Sequence, residues 1–136
     1  MTDDVIEQRA RILLVFSSRS VVTVSDRGID MYGETRFLGV RIRGGYLVRL
    51  TWTDVKDVIH SDDEPLVARV IPVKLGRFLQ PVKEGAIRIH LRVDENGYLV
   101  LRWKDRQLTL RFVDACRARH ALMETSDASS LQRSAN

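Results

Sequence analysis

The three histidines are the first residues whose chemistry could define a site. They are evenly spread along the chain, at His60, His90 and His120. The best candidate metal cluster joins His60 to the acidic segment 62–64. Hard cations, however, bind several oxygen ligands held in a shaped loop, and this segment lacks the glycine and the alternating ligands of a calcium loop. We therefore expect no metal site and no cofactor.

Nucleophilic catalysis has little support either. Cys116 is the only cysteine. Nearby cations could lower the pKa of its thiol, but a cysteine on the apolar face of a helix usually packs as a small hydrophobic residue. The three serines of segment 17–20 are not in a G-x-S-x-G elbow, and Gly44 and Gly45 belong to no phosphate-binding loop. We expect a protein that is not an enzyme.

Basic side chains along the C-terminal strands form the one surface cluster that suggests a binding site. The outward positions of the predicted strands include Arg88, His90, Arg92, Arg102, Lys104 and Arg111. Guanidinium groups suit phosphates and carboxylates, so these six residues are the candidate site for an anionic partner. A single-stranded nucleic acid would also need exposed aromatic rings for stacking, and only Tyr98 is available there. The other interpretation is a solvated face whose charges block edge pairing.

Charge is unevenly distributed along the chain. Residues 1–65 sum to −2 and residues 66–120 to +7, within a net charge of +4. A positive second half can attract nucleic acid, anionic lipid or an acidic protein surface. The N-terminus lacks the basic region and long apolar core of a signal peptide, and the apolar run 12–16 is far shorter than the ~20 residues that span a bilayer. With a single cysteine, these features predict a cytoplasmic protein without a transmembrane segment.

Alternating apolar residues predict an antiparallel meander near the C-terminus. Its strands are expected over residues 86–93, 98–104 and 107–112. Their inward side chains are Ile87, Ile89, Leu91, Leu99, Leu101, Trp103, Leu108, Leu110 and Phe112. Turns are expected at residues 94–97 and 105–106. An amphipathic helix over residues 113–124 then covers the inner side of the meander.

The first part of the chain predicts shorter elements. Asp3 and Asp4 favour a helix that ends near Arg9, and residues 11–17 could form a strand or extend that helix. Gly44-Gly45 predicts a two-residue hairpin turn. Further strands are expected over residues 20–25, 29–32, 40–43, 46–50 and 66–73, with a loop at 61–65 and a long connection over 74–85. The chain then forms a single domain over residues 1–124, with an N-terminal helix or extension over 1–19 and a disordered tail over 125–136.

Three segments resemble bacterial pleckstrin-homology-like domains. They are residues 21–33 (VVTVSDRGIDMYG), 50–59 (LTWTDVKDVI) and 99–123 (LVLRWKDRQLTLRFVDACRARHALM). In that family an early hairpin returns through a Gly-Ile step, a tryptophan precedes an acidic-hydrophobic step, and a late meander ends in a helix. The resemblance covers residues 20–124. It implies a mainly β fold, an antiparallel split β-barrel of about seven strands closed by a C-terminal amphipathic helix.

The resemblance also implies a binding or assembly module, although function belongs to the site rather than the fold and no binding residues carry over. The first hypothesis is a non-catalytic binding or scaffold module that recognises a protein partner or an anionic surface. Exposed barrel edges would also allow a homo-oligomer. The alternative is a small nucleic-acid-binding β-barrel that uses the basic sheet face. Steep salt dependence of nucleic-acid binding would favour the alternative.

Overall fold

A computed structural model describes residues 2–11, 14–74 and 91–135, with side chains for all of these except residues 10 and 124–135. Within this part of the chain there are eight β-strands, one 3-10 turn and one α-helix. The strands are β1 (Asp4–Arg11), β2 (Phe16–Val24), β3 (Gly28–Phe37), β4 (Val40–Thr51), β5 (Val55–Ser61), β6 (Glu64–Pro72), β7 (Leu91–Val93) and β8 (Leu99–Arg102). The 3-10 turn is Trp52–Asp54, and helix α1 is Arg106–Ala135.

The strands form two antiparallel sheets of four strands each. The first sheet has the order β1-β2-β3-β4, so each strand pairs with its neighbour in the chain. The second has the order β5-β6-β8-β7. Helix α1 packs against β5 and β6 and also contacts β1 and β2. The protein is therefore mainly β with a C-terminal helix, as the sequence predicts.

The core is formed by residues of both sheets and the helix. Among its fully buried members are Ile29, Val70, Leu99 and Phe112. Trp103 is also buried, and its ring centroid lies 5.3 Å from that of Phe112. The predicted inward positions Leu91, Leu99, Leu101 and Trp103 are confirmed. Ile87 and Ile89 lie outside the described residues.

Residues 107–112, predicted as a third meander strand, form the first turns of α1. The carboxylate of Asp105 accepts a hydrogen bond from the Leu108 N–H at 2.9 Å. The predicted turn at 105–106 is therefore the N-cap of a helix. Burial then follows the helical repeat of three and four residues, at Thr109, Phe112, Val113 and Cys116. Leu108 and Leu110, whose alternation suggested a strand, are only half-buried.

The segment predicted as an N-terminal helix belongs to β1. Ile6 and Gln8 are buried, whereas Glu7 and Arg9 are exposed, which is the two-residue alternation of a strand. Every residue of β1 pairs with β2. Pairing with the sheet therefore overrides the local helix signal of the N-terminal aspartates.

The pair Gly44-Gly45 does not make a hairpin turn, because β4 runs through it without interruption. The turn between β3 and β4 consists of Leu38 and Gly39, with φ values of 50° and 80°. Positive φ at both positions is what a type I′ turn requires. The β3–β4 hairpin is therefore longer than predicted and ends in a different place.

Other predictions have mixed outcomes. The loop at 61–65 is a tight turn between β5 and β6, and the turn at 94–97 is confirmed by the Gly97 N–H, which donates to the Asp94 carbonyl at 3.0 Å. Residues 75–90, with most of the predicted connection and the first meander strand, lie outside the described residues.

The helix continues to Ala135, where the sequence predicts a disordered tail. In the described chain, this helix lacks the combination of length and apolar character that crossing a membrane requires.

Candidate functional site

The predicted basic face is only partly assembled within the described residues. Arg92 on β7 and Arg102 on β8 are both exposed. Arg92 pairs with Val100, two residues before Arg102. Both arginines therefore leave the same, outer face of the second sheet as diagonal neighbours. Arg88 and His90 lie outside the described residues.

Lys104 and Arg111 are exposed but do not extend that face. Lys104 follows β8, and its backbone N–H donates to Oε1 of Gln8 on β1 at 2.6 Å, which links the end of the second sheet to the first. Arg111 lies on α1 rather than on a third strand. Because α1 packs on the core side of the second sheet, Arg111 belongs to a different surface from Arg92 and Arg102.

Arg69 on β6 lies on the same outer face but is absent from the predicted set. Its guanidinium lies 2.9 Å from the carboxylate of Glu64 and 3.7 Å from that of Asp94. Arg69 and Arg92 line an open cleft beside the turn at 94–96. These two carboxylates offset the charge of Arg69, so the described part of this face has mixed charge.

The candidate metal cluster around His60 is not assembled. The ring Nε2 of His60 lies 3.2 Å from the carbonyl oxygen of Pro65. Glu64 pairs with Arg69, and Asp62 lies 3.9 Å from Arg106. The acidic side chains thus diverge toward separate arginines. In the described part of the chain, no three potential ligands of this kind come together.

Cys116 is a core residue of α1. Burial raises the pKa of its thiol, although the nearby charge of Arg119 acts in the opposite direction. The thiolate is the reactive form of cysteine. A buried thiol that stays protonated therefore has a packing role here.

One end of the first sheet, the distal end, carries a different kind of surface. Val15, which comes just before β2, and the β3–β4 turn meet there, because the Leu38 N–H donates to the Val15 carbonyl at 2.8 Å. The rings of Phe16 and Phe37 lie 5.0 Å apart. Six exposed apolar side chains form what we call the apolar tip: Leu14, Val15, Phe37, Leu38, Val40 and Ile42. Contiguous exposed apolar surface is typical of interaction sites.

Leu38 occupies a position that leucine rarely adopts. Its φ of 50° is in the left-handed region, which costs an ordinary L-residue about 1–2 kcal/mol and is usually filled by Gly, Asn or Asp. The side chain is 68% exposed, so burial within the fold offsets little of this cost. A strained, exposed leucine is typical of a residue whose value lies in function rather than stability.

Arginines surround the apolar tip. The strand register places Arg11, Arg36 and Arg41 in one row across the four strands of the sheet, and Arg43 is exposed nearby on β4. Neither segment 8–25 nor segment 36–49 contains an acidic residue. The distal end is therefore strongly positive, although residues 1–65 as a whole sum to −2.

Glu34 is an acidic residue that lies beside Arg36, and it is only 4% exposed. It accepts hydrogen bonds from Arg36 at 2.9 Å and from the Tyr32 hydroxyl at 3.2 Å, and Arg19 lies 3.7 Å away. The hydrogen bond from Arg36 is the largest cause of the lowered pKa of Glu34, and burial opposes it. A Cβ atom at Gly44 would lie 3.0 Å from the Tyr32 hydroxyl oxygen and 3.2 Å from Glu34 Cβ. Glycine in mid-strand therefore makes room for this cluster.

Two features of the sequence explain why the surface at the distal end was not predicted. Gly44-Gly45 was the stronger turn signal, whereas the true turn has an apolar residue, Leu38, before Gly39. Summing charge over residues 1–65 also hid the local excess of arginine, because the acidic segment 54–64 cancelled it. A shorter charge window and the apolar run around Gly39 were the signals that could have identified it.

Comparison of the chain with protein-family models, with curated proteins and with solved structures finds no match. The interpretation of the distal end therefore depends on its own geometry and charge.

Proposed function

We propose that the protein is a non-catalytic binding or scaffold module whose interface is the distal end of the first sheet. A suitable partner buries the apolar tip and presents negative charge to the surrounding arginines. An anionic surface or an acidic protein meets both conditions. A homo-oligomer built on this end would bring like charges together, so it fits less well. The observation that carries the proposal is the exposure of Leu14 and Leu38 beside the row of Arg11, Arg36 and Arg41.

The two sheets and the helix are proposed to form the split barrel of a pleckstrin-homology-like domain. The order of elements supports this, because two antiparallel sheets are followed by one C-terminal helix. The described part has eight strands, against the about seven that the resemblance implies. An experimental structure in which the two sheets belong to separate units would contradict the barrel.

Site-specific photo-crosslinking in the source cell tests the binding function. A photoreactive amino acid replaces Leu38 in one variant and Leu122, which is 55% exposed on α1, in a control. We expect adducts from position 38 and few or none from position 122, with mass spectrometry identifying the adduct as a lipid, a protein or a second copy of the chain. Equal adduct yields from the two positions, or none from position 38, would contradict a specific interface at the distal end.

The nucleic-acid alternative is favoured by one observation on the first sheet rather than on the predicted basic face. Tyr46 is exposed, the Arg49 guanidinium lies 4.4 Å from its ring centroid, and the ring of Tyr32 lies 5.6 Å away. An exposed ring beside cations suits base stacking. Fluorescence anisotropy with single-stranded oligonucleotides would test it. Binding that falls steeply with salt and is weakened by Tyr46→Ala would support this function, and the absence of binding at low salt would eliminate it.

A further inference from the structure

We infer that the partner of the distal end is a bilayer that contains anionic glycerophospholipids. The apolar tip inserts between the lipids, and the arginines bind the headgroup phosphates. The inference rests on the function proposed above and narrows it to one class of partner. It requires no membrane-spanning element, because the attachment is interfacial.

The spacing along the hairpin matches the layers of a membrane surface. Arg36 precedes Leu38 by two residues and Arg41 follows it by three. At ~3.3 Å per residue, the arginine row lies about 7–10 Å behind the tip. Apolar groups of interfacial proteins enter the headgroup and acyl boundary by about 5–10 Å. When the tip is inserted, the guanidinium groups are therefore level with the phosphates.

The charge of the distal end selects an anionic surface. Four arginines, at positions 11, 36, 41 and 43, surround the tip. Glu34 offsets one of these charges, because it accepts a hydrogen bond from Arg36 at 2.9 Å, so the five residues together keep an excess of positive charge. Arginine binds phosphate oxygens through two parallel N–H donors. Basic residues near a membrane surface are attracted by anionic lipids, and apolar burial adds to that attraction. On a neutral bilayer, only the burial of apolar side chains would contribute to the free energy of binding.

The shape of the distal end also favours a bilayer over a second copy of the chain. The tip is a protrusion, so a protein partner would need a matching apolar cavity. In the described part of the chain, one apolar cleft lies between the two sheets, lined by residues such as Met31, Leu91 and Trp103, and its volume is only ≈ 20 Å³. That is room for about one water molecule, not for a leucine side chain. A fluid lipid layer needs no preformed cavity.

The backbone conformation of Leu38 also supports insertion into a bilayer. In water the left-handed leucine costs stability and stays exposed, whereas in a bilayer the same side chain is buried. Asn tolerates this conformation and is polar. Leu38→Asn should therefore fold at least as well as the wild type and bind membranes less well, so a loss of binding cannot be attributed to misfolding.

Vesicle co-sedimentation of the full chain tests the inference directly. The vesicles are phosphatidylcholine alone, or phosphatidylcholine with about one third phosphatidylglycerol. The tip variant is Leu14→Ser with Leu38→Asn, and the charge variant is Arg41→Gln with Arg43→Gln. The matched controls are Leu122→Ser and Arg111→Gln on α1. Leu122 is a suitable control because it lies far from the tip: it is close to Arg119, which contacts Asp4 at the opposite end of the first sheet.

We expect the wild type to bind the anionic vesicles, with at least ~10-fold weaker binding to neutral vesicles and at high salt. The tip variant should lose at least ~10-fold in affinity because two leucines no longer leave water. The charge variant should weaken only on anionic vesicles, and both controls should bind as the wild type does. Thermal unfolding of each variant confirms that it is folded.

Three results would overturn the inference: no binding of the wild type to anionic vesicles, wild-type binding by the tip variant, or a dimer in sedimentation velocity that the tip variant abolishes. If vesicle binding fails but photo-crosslinks from position 38 identify a protein, the binding function survives and only the bilayer partner is lost. If crosslinking from position 38 also fails, the proposed function falls with it.

Discussion

At the scale of single residues, the side chains that fill the core and those that project from the distal end follow different physical rules. Trp103 and Phe112 lie where burial stabilises the fold. Leu38 lies where its backbone is strained and its side chain is exposed. Substitutions at these two kinds of position should therefore change stability in opposite directions.

Leu38→Asn should stabilise the isolated protein by up to about 1 kcal/mol, because Asn adopts positive φ at lower cost and little apolar burial is lost. Urea unfolding measures the change, and Leu122→Asn on the exposed face of α1 serves as the control. A loss of stability at position 38 of more than about 0.5 kcal/mol would mean that Leu38 packs within the fold.

Trp103→Ala should destabilise the protein by about 3–5 kcal/mol, because it empties a buried position against Phe112. Trp103→Phe should cost clearly less. It keeps most of the ring and removes the Nε1–H, which is buried without a hydrogen-bond partner in the described part of the chain. Equal losses for the two variants in urea unfolding would contradict the packing of an aromatic ring against Phe112 as the main contribution of Trp103.

Glu34 should make stability depend on acid pH. The Arg36 hydrogen bond lowers the pKa of Glu34 in the folded protein below its ordinary value of 4.5. A carboxylate with a depressed folded pKa stabilises above the unfolded pKa, and this contribution is lost as the pH falls from about 4.5 through the folded pKa. Glu7 adds a similar effect, because the hydrogen bond from Arg19 lowers its pKa.

Glu34→Gln should therefore be less stable than the wild type near neutral pH and should show a flatter fall in stability toward pH 3. Unfolding by urea at several pH values measures both quantities. Glu95→Gln, in the exposed turn before β8, is the control and should keep the wild-type slope. The idea fails if Glu34→Gln retains the same slope as the wild type.

At the scale of elements, the sequence could specify what local pattern and burial decide. The strands around Val70 and Leu101, the turn at 94–97 and the C-terminal helix follow from apolar periodicity and turn residues. The sequence could not specify β1, because its strand state depends on pairing with β2, which no local pattern records. It also misassigned residues 107–112, because alternating leucines fit a strand and a helix start equally well until the Asp105 cap is considered.

The two glycines of β4 are a further case in which the local sequence did not predict the strand, and they provide a test of its register. Gly44→Ala should be less stable than Gly45→Ala, because the new methyl group would lie 3.0–3.2 Å from Tyr32, Arg41 and Glu34, which must shift to admit it. Gly45→Ala meets no atom within 4 Å and should be neutral or slightly stabilising, since alanine restricts the unfolded chain. The difference between the melting temperatures of the two variants checks the assignment of both residues to the strand. A larger loss at Gly45 would contradict the register of β3 and β4.

At the scale of the whole molecule, the distribution of charge matters more than its sum. The sequence predicts a protein partner or an anionic surface and places the candidate basic residues on the C-terminal strands. Among the described residues of that face, the carboxylates of Glu64 and Asp94 offset the charge of the neighbouring Arg69. The folded chain collects a denser set of arginines at the distal end, from segments that are far apart in sequence. The successive pairing of β1 with β2, β2 with β3 and β3 with β4 brings those segments together, so this candidate site could not be derived from one-dimensional charge counts.

The central claim, that the distal end enters an anionic bilayer, is tested most directly by a fluorophore placed at the tip. In Leu38→Cys the introduced thiol can be labelled alone with an environment-sensitive dye, because Cys116 is buried and burial raises its pKa. The control is Leu122→Cys with the same dye. With phosphatidylglycerol-containing vesicles we predict a blue shift and a several-fold rise in emission from position 38, lost at high salt, and no change from position 122. An unchanged spectrum at position 38 with saturating anionic vesicles, or the same shift at both positions, would contradict the account.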